Sequence, residues 1–337
     1  MPHELESGFF VGKPAWHGLG KVLNEAPNIG DTQRLADLDW EVEEQALYTL
    51  TTDGEARDIG TGHKAIVRES DGRVLGVVGH RYTPLQNAKA FKPFQPLVDA
   101  GLIELDAAGS LRQGQRVWIL GKLKGAEAEV LPGDATRGYL LFYTGHDGTL
   151  AASYQRTAIR VVCMNTLSMA VARGDAETEA RAQFRHTANI SEQIDALTRT
   201  FRIASSDFAD TVTVYKFLAA EQCRDPRAYF RAVLGASSGN GSNGNGNGHA
   251  GMHSAMKVGT EHEDGREQKK RQLARLFEVF ETQPGAEYGR GSYWQAYNAV
   301  TYWIDHDRGR SDDARMNASW FGTGRAIRDR AFEVALS

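Results

Sequence analysis

A run of glycine, asparagine and serine divides this chain at residues 235–251, where the sequence reads GASSGNGSNGNGNGHAG. The run has no apolar anchor whose burial could offset the entropy lost when a backbone becomes ordered. We therefore predict a flexible linker at residues 235–260. It separates an α+β core domain at residues 1–234 from a C-terminal helical segment at residues 261–337, which we expect to pack back on the core.

Upstream of the linker, short segments with period-two apolar residues predict β-strands joined by glycine-containing turns. RVLGVVGHRY at residues 73–82 reads as a strand, and GHDGT at residues 145–149 reads as a hairpin tip. A helix at residues 85–101 should be divided by Pro93 and Pro96. The predicted fold class is α+β, with a curved antiparallel sheet, packed helices and a C-terminal helical segment after the linker.

Bulk charge gives no support to tight nonspecific nucleic-acid binding, because the net charge is -4 and the pI is near 6.2. Residues 111–235 are an exception, with 16 Lys and Arg against 13 Asp and Glu. No apolar run is long enough to span a bilayer, and the N-terminus lacks a signal-peptide layout. The two cysteines, Cys163 and Cys223, form no C-x-x-C motif. These features predict a cytoplasmic protein without membrane contact, disulfide or zinc-thiolate site.

The segment YQRTAIRVVC at residues 154–163 predicts a strand with two different faces. Tyr154, Arg156 and Arg160 share one face, where a ring could stack on a base and guanidinium groups could contact phosphates. Arg112 and Arg116 on the preceding hairpin could extend that basic face. The alternative is an exposed sheet face covered by long, solvated side chains.

Two other segments are secondary candidates for anion binding. Lys269 and Lys270 lie in REQKKRQLAR, a basic amphipathic helix whose alternative role is a packed helix with a solvated outer face. Arg325 and Arg328 follow the glycines of FGTGRAIRD, where a helix N-terminus could hold an anion. A plain glycine turn between packed helices is the alternative there.

The chain has no recognisable catalytic or metal-binding motif, and we predict no cofactor, no metal and no catalytic residue. The histidines have no metal-ligand spacing, and no Walker A or G-x-S-x-G sequence occurs. An enzyme without a known motif stays open, since His146 and Asp147 at the predicted hairpin tip could meet His80 or Arg160 in space.

Four separated blocks carry a family resemblance: PAWHGLGKVLNEAP, HRYTPLQNAKAF, RTAIRVVCMNTL and YNAVTYWIDH with FGTGRAIRDRAFEVAL. In this order they resemble the bacterial and phage family of phage/plasmid-like proteins, a domain of unknown function. The resemblance implies a protein encoded by a mobile genetic element, in the cytoplasm of a bacterial host. It implies no catalytic residues for this chain. The predicted order of elements is also similar in architecture to single-strand annealing proteins of the RecT and Erf kind.

The function predicted first is single-stranded nucleic-acid binding in phage or plasmid recombination or replication, such as strand annealing, with single-stranded DNA as partner and a homo-oligomer as the assembly. The function ranked second is that of a non-catalytic interaction protein, which interferes with a host defence or scaffolds an assembly. An enzyme without a recognisable motif comes third.

Overall fold

A computed structural model describes residues 5–12, 20–58, 62–162, 165–167, 181–200, 205–235, 255–308, 318–320 and 322–337. Its strands are β1 (Leu5–Val11), β2 (Lys21–Leu23), β3 (Val42–Ala46), β4 (Tyr48–Leu50), β5 (Ala56–Asp58), β6 (His63–Arg68), β7 (Arg73–Gly79), β8 (Ile103–Leu111), β9 (Arg116–Leu131), β10 (Asp134–Gly145), β11 (Ala152–Arg160), β12 (Asn165–Leu167) and β13 (Arg181–Phe184).

The large sheet has the order β12-β11-β10-β9-β8-β1-β2, and β13 also pairs with β11. Its neighbouring strands are antiparallel except for β1 and β2, which are parallel. Turn residues set the two central hairpins. The turn between β9 and β10 contains Pro132 and Gly133, whose φ of 83° suits the third position of a type II turn. Between β8 and β9, Arg112, Gln113 and Gly114 all have positive φ.

A second, three-stranded sheet has the order β3-β6-β7, and β4 pairs with β5. Strand β4 follows β3 after one residue, so β3 and β4 form one side of a long hairpin and β5 and β6 the other. We call residues 42–58 the β-arm. All side chains of β4 and β5 are exposed.

The helices are α1 (Ile29–Leu35), α2 (Asn87–Phe91), α3 (Gln95–Asp99), α4 (Ile190–Thr200), α5 (Ser205–Ala220), α6 (Pro226–Val233), α7 (Ala255–Thr282), α8 (Tyr293–Tyr302) and α9 (Thr323–Leu336). A 3-10 turn at Lys92–Phe94 divides α2 from α3, and Pro93 lies inside it, which confirms the predicted break. A π-helical turn at Trp303–Asp307 continues α8.

Each face of the large sheet has its own core. On one face, Phe142 and Tyr154 of the sheet pack in a single buried cluster with residues of the helices, such as Phe94, Trp294 and Phe332. The other face buries a smaller cluster that includes the tryptophans at positions 118 and 320. Helices on both sides of the predicted linker therefore contribute to one core.

The predicted linker ends earlier than expected, because α7 begins at Ala255 and so includes residues 255–260. Residues 236–254 lie outside the described residues. The α+β prediction is confirmed by the large, mostly antiparallel sheet and the C-terminal helices. Within the described part of the chain, no helix has the length and apolar character that crossing a membrane requires.

Candidate functional site

Tyr154, predicted to present its ring on an accessible face, lies in the interior. It is 1% exposed, and its hydroxyl donates a hydrogen bond of 2.5 Å to the carbonyl oxygen of Ala90. Its ring lies 4.5 Å from that of Phe142 and 6.3 Å from those of Phe94 and Phe184. Burial raises the pKa of Tyr154 well above its ordinary value. The predicted accessible position is wrong, because α2 and the following turn cover this face of the sheet.

Arg160 is also buried, and its charge is compensated inside the protein. Its Nε and Nη2 donate to the carboxylate of Asp134 at 2.7 and 2.8 Å, and Nη2 also donates to the carbonyl of Gly285 at 2.9 Å. The indole Nε1 of Trp294 donates to the same carboxylate at 2.8 Å. The side chains of Arg160 and Asp134 are 1% and 0% exposed. The predicted phosphate contact at Arg160 is therefore wrong, because this guanidinium joins the sheet to α8.

The remaining arginines of the predicted basic face do not form one surface with these two. Arg156 is half-buried on the helix-covered face. Arg112 lies in the β8–β9 turn with φ of 53°, and Arg116 lies on the opposite face of the sheet, where its Nη2 donates to Thr149 Oγ1 at 3.4 Å. Alternation along β11 correctly separates two faces, but the face that carries Tyr154 and Arg160 is covered by helices and by the segment before α8.

The lysines of the first secondary candidate lie on the exposed side of α7. Lys269 Nζ donates to the carbonyl of Gly235 at 3.1 Å, and Lys270 forms an ion pair of 2.6 Å with Glu267. Both lysines are exposed. This arrangement is typical of a packed helix with a solvated outer face, the alternative role for this segment.

The arginines of the second candidate already have protein partners. Arg328 is buried and donates to Asp305 Oδ1 at 2.8 Å and to Ser319 Oγ. Arg325 Nη1 donates to the hydroxyl of Tyr143 at 3.1 Å. The predicted anion site is wrong at Arg328, because a carboxylate neutralises its charge within the C-terminal core.

A groove of about 700 Å³ lies beside strand β13 in the described part of the chain. Strand β13, helix α4 and the loop between them form its walls. The lining residues are Gln183, Phe184, Arg185, Thr187, Asn189, Gln193 and Ala196. None of them was a predicted site residue, because they are spread over a strand, a loop and a helix with no motif spacing. The available signal was the aromatic and basic sequence RAQFRH at residues 181–186.

The lining combines one cation, one aromatic ring and several neutral polar groups. Arg185 is exposed, and its guanidinium has no ion-pair partner among the described residues. The lining contains no carboxylate. Helix α4 carries two acidic residues beside the lining: Asp195 forms ion pairs with Lys89 and Lys92, and Glu192 is exposed. The lining residues therefore carry one positive charge and several hydrogen-bonding groups on a protein of net negative charge.

His186 fixes the loop that follows Arg185. Its Nδ1 donates to the carbonyl of Thr83 at 3.2 Å, and its Nε2 accepts from Thr144 Oγ1 at 3.1 Å. Its ring stacks on Tyr82 with centroids 4.6 Å apart. Burial lowers the pKa of His186 to about 4, so the ring is neutral at pH 7. These contacts hold one end of the groove against the sheet.

His146, a candidate for an unrecognised catalytic site, is completely buried. Its Nε2 donates to Asn87 Oδ1 at 3.1 Å, and its ring lies 5.4 Å from that of Trp40. His146 follows one end of β10, whereas Arg160 pairs with Thr136 at the other end, roughly 30 Å away at the usual rise per residue. His146 and Arg160 therefore do not meet in one site.

Metal-binding groups are not clustered in the described ranges, where no three His, Cys, Asp or Glu side chains are placed to hold an ion. Cys223 is buried, and burial raises its pKa to about 11, which disfavours the thiolate. Cys163 lies outside the described residues.

Comparison with known families places residues 74–320 on the model described as Domain of unknown function (DUF932), more than half of the 337-residue chain. The chain belongs to this family. No curated protein and no solved structure matches it significantly. The DUF932 match contains the strands β8–β11, the groove and α8, whereas the β-arm lies before its first residue.

Removing the Tyr154 hydroxyl tests the corrected position of this side chain. We expect Tyr154→Phe to lower the free energy of unfolding by about 1–2 kcal/mol, because a buried carbonyl loses its donor while the ring stays packed. Urea denaturation monitored by circular dichroism measures the change. An unchanged midpoint would show that the hydroxyl is solvated, as on an exposed sheet face.

Proposed function

We propose that this protein binds single-stranded nucleic acid in the groove beside β13, as a cytoplasmic component of phage or plasmid recombination or replication. The observation that carries the proposal is a groove whose lining contains Arg185, Phe184 and the amides of Gln183, Asn189 and Gln193, and no carboxylate. Proteins that bind single strands combine cationic groups for the backbone with aromatic rings for the bases.

The geometry of the groove supports a single strand as the ligand. Phe184 is half-buried, with its ring edge-on to that of Tyr154 at 6.3 Å, so it is held in place by the core while it also lines the groove. Carboxamide groups both donate and accept hydrogen bonds, which suits the edges of unpaired bases. The volume of about 700 Å³ falls within the range of small-ligand pockets and suits a short stretch of strand.

The test is fluorescence anisotropy with a labelled 20-nucleotide single strand and the matching duplex, at 50 and 200 mM salt. We expect preference for the single strand and weaker binding at 200 mM, because phosphate contacts release counterions. Arg185→Glu should weaken binding at least about tenfold, since it replaces the groove's cation with a carboxylate. Arg224→Glu, the same charge change at an exposed arginine outside the groove, serves as the control.

Two results would contradict this proposal. One is no binding of the single strand by the wild-type protein at 50 mM salt. The other is equal weakening by the substitutions at Arg185 and Arg224, which would indicate a diffuse charge effect rather than a site.

A further inference from the structure

Strand β3 is an edge strand whose outer side is only partly occupied. It pairs with β6 on one side, with Val42 opposite Arg68 and Ala46 opposite Lys64. On the other side, the side-chain amide of Gln86 accepts from Val42 N at 3.0 Å and donates to Val42 O at 2.8 Å. Gln86 thus makes the two hydrogen bonds that one residue of an added antiparallel strand would make.

The next outward-facing backbone groups have no such partner within the described ranges. Because hydrogen-bonding direction alternates along an antiparallel strand, the N–H and C=O groups of Glu44 and Ala46 point the same way as those of Val42. Among the described residues, none bonds to these groups. The side chains of Glu44 and Ala46 are exposed as well. The edge is therefore occupied at its first residue and open over the next four.

The charged side chains around this edge determine which charge a bound ligand should have. Residues 41–58 contain six carboxylates and one arginine. The β-arm also exposes two large apolar side chains, Tyr48 at 60% and Leu50 at 74%. Anionic ligands such as nucleic acid are disfavoured here, and a cationic segment with interspersed apolar residues is favoured.

We propose that the outer edge of β3 binds an extended, basic segment of another protein as an added β-strand. Backbone hydrogen bonds to Glu44 and Ala46 supply the pairing. The Glu43 carboxylate selects cationic side chains, whereas that of Glu44 is already paired with Lys64 at 2.6 Å. A second copy of this chain is disfavoured as the occupant by way of β3 itself, since two such edges would place like charges opposite each other. The site is separate from the groove beside β13, so either can exist without the other.

The first test uses a labelled peptide, acetyl-Lys-Val-Lys-Thr-Lys-Val-Lys-amide, its counterpart with Glu in place of each Lys, and a version of the basic peptide N-methylated at alternate amides. Fluorescence anisotropy should show at least tenfold tighter binding of the basic peptide than of either other peptide. No binding of the basic peptide at 1 mM, or equal binding of its N-methylated version, overturns the proposal.

The second test locates the binding on β3. Ala46→Pro removes an outward N–H without removing a bond to β6, whereas Ala46→Val keeps that N–H. We expect at least tenfold weaker binding for Ala46→Pro and less than twofold change for Ala46→Val, with both variants folded by circular dichroism. Glu43→Lys should weaken binding of the basic peptide and Glu192→Lys, an exposed charge change on α4, should not.

A third measurement identifies the kind of occupant. Sedimentation velocity of the wild-type protein alone should give the same mass as Ala46→Pro. A larger assembly that dissociates on Ala46→Pro would show that a second copy occupies the edge and would overturn the assignment to another protein.

Discussion

Asp134→Ala is expected to lower the free energy of unfolding by about 3–5 kcal/mol, because it leaves a buried guanidinium without its counter-ion. The Asp134 carboxylate accepts hydrogen bonds from Arg160 Nε and Nη2 and from Trp294 Nε1, and both charged side chains are essentially inaccessible to water. The substitution removes three hydrogen bonds and one compensating charge. Urea denaturation with circular dichroism detection gives the change in free energy of unfolding.

Replacing both partners distinguishes the cost of an unpaired charge from the net contribution of the pair. In Asp134→Leu combined with Arg160→Met, apolar side chains of similar volume fill the site and no buried charge remains. We expect this double variant to be more stable than Asp134→Ala, because a buried pair contributes much less than breaking it costs. A loss of less than about 1 kcal/mol in Asp134→Ala would show that Arg160 reaches solvent instead.

Arg160 also shows what strand periodicity can predict. The alternation in YQRTAIRVVC predicts a strand, and β11 occupies Ala152–Arg160. The partners of Arg160 lie far away in sequence, at Asp134 and at Gly285 beyond the predicted linker. An arginine on a solvated face and an arginine paired in a core have the same local pattern. Tertiary packing therefore decides its role, and a single sequence does not contain that information.

Local signals predicted other features well because their cause is local. Pro93 divides a helix since it lacks an N–H and fixes φ. A local cause also ends α3, which is followed by Gly101 with φ of 66°. The groove beside β13 has no such local cause. Its side chains come together only because β13 pairs with β11 and α4 packs against the turn after α2.

The stability of the protein is expected to fall as the pH is lowered from 7 to 5. His146 and His186 are buried and neutral in the folded state, where desolvation lowers their pKa values to about 3 and about 4. In the unfolded chain a histidine has a pKa of about 6.5. The unfolded state therefore binds more protons than the folded state below pH 6.5, and each histidine lowers the free energy of unfolding by about 2 kcal/mol at pH 5.

Hydrogen bonding explains why adding a second proton to either imidazole ring lowers the stability of the folded protein. His146 Nε2 donates to Asn87, whose own amide donates to the carbonyl of Leu38. His146 Nδ1 is buried and has no hydrogen-bond partner in the part of the chain that the structure describes. On His186, Nδ1 donates to Thr83 and Nε2 accepts from Thr144. Protonation would leave an added N–H of His146 with no acceptor and would turn the acceptor on His186 into a donor.

One described carboxyl group, that of Asp106, raises the free energy of unfolding as the pH falls, whereas the two histidines lower it. Burial raises the pKa of Asp106 to about 6, so the folded state takes up a proton there before the unfolded state does, and stability rises as the pH falls below 6. Asp106 is partly accessible, which reduces its contribution. The net loss expected between pH 7 and pH 5 is therefore about 2–3 kcal/mol.

Urea denaturation at several pH values from 7 to 5 measures this loss, and histidine variants assign it. In His146→Gln combined with His186→Gln, the dependence on pH should disappear or reverse in sign, because Asp106 then remains. His80→Gln, the same substitution at an exposed histidine, serves as the control. If the double variant keeps the wild-type slope, groups other than the two buried histidines carry the proton linkage. His186 would then not hold the end of the groove in the neutral form that its hydrogen bonds require.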